Sequence, residues 1–313
     1  MVRGLVLLAA LLFASCAAAP EQAKRREQPT IVSLNPCTDA ILAEVADPAQ
    51  ILAISYYSHV PRASSMDPAA ARRFRATGST VEEVLALAPD IVVAGTFLPP
   101  ASRAAFERLG IRVETFGIVS SVEESTAQVR RLALLAGQEE RGEVLASRID
   151  EALAETSYDG VRPSALLWQQ GGITAGPDAL VTKLLEHAGF ASHAAARGLG
   201  QGAYLPLERV LADPPDVILS AGGERMLTHH VLNDLPDTYF TKLDPSLTYC
   251  GGPTIIRAVR ALASVRHSLE APLPLAGGAG GGHGLTAAHS AATSLALRSA
   301  SLATPPAGGR GLE

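Results

Sequence analysis

A repeated segment is the sequence feature that most constrains the fold of this chain. At an offset of 126 positions, residues 81–93 (VEEVLALAPDIVV) align without gaps with residues 207–219 (LERVLADPPDVIL). Each copy holds a short amphipathic stretch, a proline–aspartate pair and an apolar run, which predicts a helix, its stop and a strand. The apolar runs are continuous rather than alternating, as in strands buried on both faces of a parallel sheet. The sequence therefore predicts an α/β fold with two doubly wound lobes, whose sheets are mostly parallel and covered by helices.

The connection between the repeats is polar and helical in pattern. Residues 29–135 are predicted to form an N-terminal lobe, residues 136–160 the connection, and residues 161–269 a C-terminal lobe. Within the connection, residues 139–155 have apolar side chains on one stripe and charges around it, which predicts one long helix. Such a stiff strut favours small closure movements over a wide hinge opening.

The two ends of the chain differ in composition from the lobes. Residues 1–19 carry one positive charge and then an uncharged apolar run ending in small residues, which is typical of a signal peptide. Cleavage at Ala17-Ala18-Ala19 would release a soluble periplasmic protein, whereas a lipobox ending at Cys16 would leave a lipoprotein. We favour the soluble product, because Phe13 is a poor first residue of a lipobox. Residues 270–313 are rich in Gly, Ala, Ser and Pro and are predicted to be a disordered tail.

The ordered motifs resemble the substrate-binding proteins of iron-siderophore and cobalamin ABC transporters, a periplasmic-binding domain of the helical-backbone class. The resemblance rests on residues 31–36 (IVSLNP), both repeat copies and the connecting helix, and covers about residues 29–269. It implies a ligand held between the lobes and delivered to a permease in the inner membrane. It also implies one docking glutamate per lobe, at Glu82 and Glu208. A carboxylate in the first turn of a helix also complements the helix dipole without any partner.

The loops that leave the predicted strands supply candidate ligand-binding residues. Aromatic side chains are sparse in the chain yet frequent in these loops, and flat faces suit a macrocycle such as a corrin or porphyrin. Tyr57 and Tyr204 match aromatic positions of cobalamin-binding members, whereas residues 76–78 (ATG) stand where those members carry a tryptophan. The expected ligand is therefore cobalamin first, then haem or a ferric siderophore. For any one aromatic, Trp168 especially, packing in the core of a lobe is the alternative. The candidates are Asn35, Cys37, Tyr56, Tyr57, Thr96, Phe97, Trp168, Gln169, Tyr204, Tyr249 and Cys250.

Cys37 and Cys250 leave several interpretations open. Each follows a predicted strand, one per lobe, so they could meet across the cleft. Free thiols or a ligand contact are preferred to a disulfide, which would oppose opening; a purely structural role is a further alternative.

An enzyme is the main rival to a binding protein. A secreted α/β thiol redox or metal-handling enzyme built on Cys37 and Cys250 is one alternative, and a protein-interaction module is another. The sequence holds no Ser-His-Asp elbow, paired zinc motif or phosphate loop, so we expect no catalytic residues, metal site or cofactor. The net charge of -5 provides no basic surface for nucleic acid, and we expect a monomer.

Overall fold

A computed structural model describes residues 28–270. The predicted signal peptide, Cys16 and the tail beyond residue 270 lie outside these residues. Five parallel strands form the first sheet, in the spatial order β3-β2-β1-β4-β5. Its strands are β1 (Ile31–Ser33), β2 (Ile51–Ser55), β3 (Ala76–Thr77), β4 (Ile91–Gly95) and β5 (Arg112–Phe116). The accompanying helices are α1 (Pro36–Val45), α2 (Pro68–Ala71), α3 (Val81–Leu87) and α4 (Pro100–Arg108), with 3-10 turns at Pro48–Gln50 and Tyr56–His59.

Two helices connect this sheet to the second one. Helix α5 (Val122–Ala136) ends at Gly137, whose φ of 66° lies in the left-handed region that favours glycine. Helix α6 (Glu139–Thr156) follows and confirms the predicted long helix, with Leu145 and Ile149 of its apolar stripe fully buried.

The second sheet has six strands: five lie in the order β11-β10-β6-β7-β9, and the sixth, β8, pairs with β6. Strands β7 and β9 run antiparallel to their neighbours, so this sheet is mixed at one edge. Its strands are β6 (Ser164–Gln169), β7 (Ile173–Thr174), β8 (Ala191–Ser192), β9 (Ala203–Tyr204), β10 (Val217–Ala221) and β11 (Tyr239–Lys242). Its helices are α7 (Leu180–His187), α8 (His193–Ala196), α9 (Leu207–Ala212) and α10 (Thr254–Glu270), with 3-10 turns at Gln170–Gly172, His230–Asn233 and Pro245–Thr248.

One continuous hydrophobic core joins the two halves. It runs from strands of the first sheet through α1, α5 and α6 to α10 and strands of the second sheet. The opposite face of each sheet has its own smaller cluster, around Val92 and Phe106 in the first half and Ile218 in the second. Both sheets are thus buried on both faces, which confirms the predicted α/β fold class.

The repeat is also confirmed, because both copies form the same structure. Helices α3 and α9 each precede a central strand, β4 and β10, and the aspartate of each copy clamps a neighbouring strand. Asp90 Oδ2 accepts hydrogen bonds of 2.8 Å from both the backbone N and the Oγ1 of Thr30. Asp216 Oδ2 likewise accepts from the backbone N and Oγ of Ser164, at 2.8 and 2.9 Å. The Thr30 and Ser164 hydroxyl oxygens accept in return from the aspartate amides, at 3.1 and 3.0 Å.

We expect Asp90→Ala and Asp216→Ala each to lower the free energy of unfolding by about 1–2 kcal/mol, because each removes charge-assisted hydrogen bonds that begin a core strand. Urea denaturation followed by circular dichroism measures the change. Asp213→Ala is the matched control, since Asp213 lies three residues from Asp216 and its carboxylate forms an exposed ion pair with Arg197. Equal losses in all three variants would contradict the clamp.

Candidate functional site

The ends of β1 and β4 bring the first candidate residues together. Asn35 caps α1, its Oδ1 accepting from the Cys37 amide at 3.0 Å. A Cβ built on Gly95, the last residue of β4, would lie 3.5 Å from Asn35 Nδ2, so the two strand ends touch. Thr96 and Phe97 follow directly, and both are exposed. The carboxyl ends of parallel strands lie at the same edge of a sheet, and open α/β sheets commonly bind ligands at that edge.

Exposed aromatic rings lie along this edge. Tyr56 and Tyr57 occupy the 3-10 turn that follows β2, with ring centroids 6.2 Å apart in an edge-to-face arrangement. Their residues are 57% and 60% exposed, and Phe97 is 85% exposed, values far outside the range of packed core aromatics. The structure therefore presents three aromatic side chains at the carboxyl ends of β2 and β4.

Ile118 is a cleft candidate that the sequence interpretation missed. It follows β5 and is 85% exposed, as much as Phe97. A Cβ on the adjoining Gly117 would lie 3.8 Å from Thr96 Cγ2, so the loop after β5 borders the loop after β4. The available signal was an isoleucine placed two residues beyond a strand, in the same position as the aromatic candidates.

Asp39 is a second missed residue of this edge. It lies in the first turn of α1 and is fully buried, and its Oδ2 accepts from the Ser55 amide at 2.9 Å and from Ser58 Oγ at 2.6 Å. Burial raises the pKa of the Asp39 carboxyl to about 8, although the hydrogen bonds that it accepts oppose this shift. Burial therefore favours the neutral form of this carboxyl group over the carboxylate. Its sequence signal was weak, because an aspartate in a first helical turn usually needs no further role.

Trp168 corrects the predicted site. The side chain is 0% exposed, and its Nε1 donates to the Leu205 carbonyl at 3.1 Å within the cluster that contains Leu166 and Ile218. Residues 166 and 168 share one face of β6 because side chains alternate along a strand, and that face is covered. Trp168 is thus a core residue, and Gln169, half-buried at the end of β6, marks where the strand reaches the edge.

The second sheet contributes its own polar and aromatic groups. Tyr204, on the edge strand β9, is 62% exposed, and its hydroxyl lies 3.9 Å from Met226 Sδ. Glu224 Oε1 accepts from the Gly171 amide at 3.0 Å, so it joins the loops that follow β6 and β10. Glu224 and Met226 were both missed from sequence, since they lie beyond the Gly222-Gly223 pair that follows the strand.

The segment around Cys250 packs against helices of the first half. Gly252 N donates to Ser125 Oγ at 2.7 Å, and a Cβ on Gly252, whose φ is 60°, would collide with Ile41 of α1. Burial raises the pKa of the neighbouring Tyr249 above its usual value, assisted by the negative charges of Asp244 and Glu224. Tyr249 is 39% exposed, and its carbonyl oxygen lies 3.9 Å from Cys37 Sγ.

Cys37 and Cys250 form a disulfide in the structure, with Cα atoms 5.3 Å apart. The preference for free thiols or a ligand contact was therefore wrong. Cys37 follows β1, as predicted, and lies in the first turn of α1, whereas Cys250 follows a 3-10 turn rather than a strand. Cys250 is only 7% exposed, which leaves it little surface for a ligand.

Comparison with known proteins identifies the family. The family model described as periplasmic binding protein matches residues 31–236. The chain belongs to the periplasmic binding protein family. No relative was found among curated protein sequences.

Solved structures of this family show the same fold. The haem-binding protein HutB of Vibrio cholerae is similar with a TM-score of 0.62 and 16% identity, covering 76% of this chain and 99% of its own. The haem-binding protein RhuT from Roseiflexus sp. RS-1 has a TM-score of 0.60 and 21% identity, with 77% and 97% covered. The vitamin B12 binding protein BtuF of Vibrio cholerae has a TM-score of 0.57 and 19% identity, with 76% and 96% covered.

Two further observations bear on this family member. Within residues 28–270, no helix is long and apolar enough to cross a membrane. In this structure the disulfide leaves neither Cys37 nor Cys250 with a free thiol.

We expect the Cys37→Ser, Cys250→Ser double variant of this periplasmic binding protein to lose up to about 5 kcal/mol of unfolding free energy. The cross-link closes a loop of 213 residues and so restricts the unfolded chain. Thermal unfolding with and without reductant measures the loss. Reductant should lower the melting temperature of the wild type and leave that of the double variant unchanged. If the wild type melts at the same temperature with and without reductant, the disulfide does not stabilise the fold.

Proposed function

We propose that this chain is the substrate-binding component of an ABC importer. It captures a metal-containing macrocycle or chelate between its two lobes and delivers it to a permease in the inner membrane. The observation that carries the proposal is the set of exposed aromatic rings at the carboxyl ends of strands, in a fold of the periplasmic binding protein family. Solved relatives are named for binding haem and vitamin B12, which supports a flat macrocyclic ligand.

Among macrocycles, cobalamin is the first candidate, before haem and ferric siderophores. The rings of Tyr56, Tyr57 and Phe97 offer apolar faces that can stack on a corrin or porphyrin. On the opposite side, Glu224 and Asp244 act on Tyr249 as negative charges. Negative charge in a cleft disfavours the carboxylates of haem and an anionic siderophore more than a corrin that carries neutral amides.

Binding is proposed to occur without turnover in the periplasm, after removal of the signal peptide, by a monomer. We expect saturable one-to-one binding of cyanocobalamin, or failing that of hemin, measured by quenching of Trp168 fluorescence. Trp168 is buried, so the quenching reports energy transfer to the chromophore rather than contact. Unchanged Trp168 fluorescence on addition of cyanocobalamin, hemin and a ferric catecholate would contradict the proposed ligand class.

The role of the exposed aromatic rings in ligand binding is tested by a Tyr56→Ala, Tyr57→Ala double variant. We expect at least about a tenfold loss of affinity, because truncated aromatic contacts at a binding site each commonly cost more than 1 kcal/mol. Leu109→Ala is the matched control, since Leu109 is 59% exposed but lies at the end of α4, away from the carboxyl ends of the strands. Unchanged affinity in the double variant would place the ligand elsewhere.

Glu82 and Glu208 are proposed to dock on the permease. They occupy the second position of α3 and α9, the two helices of the repeat, and both are exposed. Equivalent placement in two halves suits recognition of a permease with two similar subunits.

We expect a Glu82→Ala, Glu208→Ala double variant to lose ligand uptake in cells while its ligand affinity stays within twofold of the wild type, because docking and capture use different surfaces. Uptake of the bound ligand and titration of the purified protein are measured in parallel. Glu139→Ala, Glu140→Ala is the control, because these residues are exposed first-turn glutamates of α6 outside the repeat. Lost affinity, or normal uptake, would contradict the docking assignment.

A further inference from the structure

The Tyr56–Tyr57 pair is held at both of its ends by one buried side chain. Asp39 Oδ2 accepts from the backbone amide of Ser55, directly before the tyrosines, and from the hydroxyl of Ser58, directly after them. These bonds, of 2.9 and 2.6 Å, connect the 3-10 turn to the first turn of α1. One carboxyl oxygen of Asp39 therefore binds both the residue before the two tyrosines and the residue after them.

The turn completes its own geometry around this anchor. Ser55 Oγ accepts from the Tyr57 amide at 3.3 Å, and Val60 N donates to the Tyr57 carbonyl at 3.0 Å. Ser55 and Ser58 are 1% and 2% exposed, whereas the tyrosines between them are more than half exposed. The backbone of the turn is therefore fixed from inside while both rings project outward.

Placing an acid at this position costs free energy. Asp39 is 0% exposed, and removing its carboxyl group from water raises the pKa of that group. An apolar side chain of the same size would pack in this core position without the desolvation of a carboxyl group. What an apolar side chain could not supply is an acceptor for the Ser55 amide and the Ser58 hydroxyl, which would then be left buried and unpaired.

We propose that Asp39 is a positioning residue for ligand binding, which fixes the turn so that both tyrosine rings face the cleft before the ligand arrives. The inference rests on the proposed function of the cleft. Its physical basis is preorganisation: a ring held in its bound position loses less conformational freedom on binding. Asp39 itself does not contact the ligand, since its side chain is fully buried beneath the turn.

The positioning is tested first without any ligand. Hydrogen exchange of the full chain, read by mass spectrometry on peptides covering residues 51–60, reports the order of the turn. We expect about tenfold faster exchange there in Asp39→Leu, which keeps the side-chain volume and removes the acceptor. Asp39→Asn restores protection, because its amide oxygen is a neutral acceptor of the same shape. Ser58→Ala removes one of the two bonds, gives a smaller increase, and serves if Asp39→Leu fails to fold.

Thr38→Val is the matched control. Thr38 is the neighbouring residue of α1 and equally buried, and its Oγ1 bonds with Ser33 Oγ and the Asn35 carbonyl. Ser33 also interacts with the Asp39 carboxyl, but Thr38→Val keeps both bonds from Asp39 to the turn. We expect it to leave exchange in residues 51–60 unchanged. Unchanged exchange in Asp39→Leu and Ser58→Ala, or equal acceleration in Thr38→Val, would overturn the inference.

The effect of Asp39 on ligand affinity is tested with cyanocobalamin and hemin as probes. We expect Asp39→Leu to weaken binding of the accepted probe about tenfold in the wild-type background and not at all in the Tyr56→Ala, Tyr57→Ala background, because it acts through these rings. Full additivity would overturn the positioning role. If cyanocobalamin, hemin and the ferric catecholate all fail to bind the wild type, the proposed ligand class fails, and the exchange data alone decide whether Asp39 positions the turn.

Discussion

Burial of both faces of both sheets is the constraint on which the rest of this structure depends. Continuous apolar strands such as β4 and β10 can exist only where helices cover them from two sides. Strand residues are then largely covered, and the exposed aromatic side chains Tyr56, Tyr57 and Phe97 lie just beyond the ends of strands. The Asp90 and Asp216 clamps belong to the same constraint, because they satisfy backbone and hydroxyl groups at the first residues of strands that enter the core.

Much of the candidate site depends on residues 35–39, at the start of α1. Asn35 caps the helix and touches the end of β4, Cys37 is bonded to Cys250, and Asp39 holds the tyrosine turn. Each of these three side chains joins α1 to a different segment. A disturbance of this one turn would therefore reach both the aromatic edge and the segment around Tyr249.

The two halves are tied together at several levels. The shared core passes through α5, α6 and α10, and α6 forms ion pairs with both sides, Arg148 with Glu44 at 3.0 Å and Glu155 with Arg260 at 2.8 Å. The disulfide and the Gly252–Ser125 hydrogen bond add connections near the cleft. The exposed ion pairs contribute little by themselves, whereas the core and the disulfide are expensive to disrupt. These ties favour small closure movements of the kind that the long helix suggested, with the lobe boundaries themselves still a prediction.

The sequence by itself determined the class of fold, the repeat, the long helix and the strand ends at which the cleft residues lie. These features follow from local patterns: proline stops, β-branched runs and apolar spacing. Tertiary structure alone decided which of the strand-end candidates are exposed and which are buried. Trp168 lies within β6, whose two faces are both covered, whereas Tyr56 and Tyr57 lie in the turn that follows β2. The Cys37–Cys250 bond depends on how segments 213 residues apart pack together, which no local pattern encodes. In the sequence, Asp39 looks like an ordinary aspartate at the start of a helix. Only the folding of the turn after β2 over it buries its carboxyl group, and burial raises the pKa of that group.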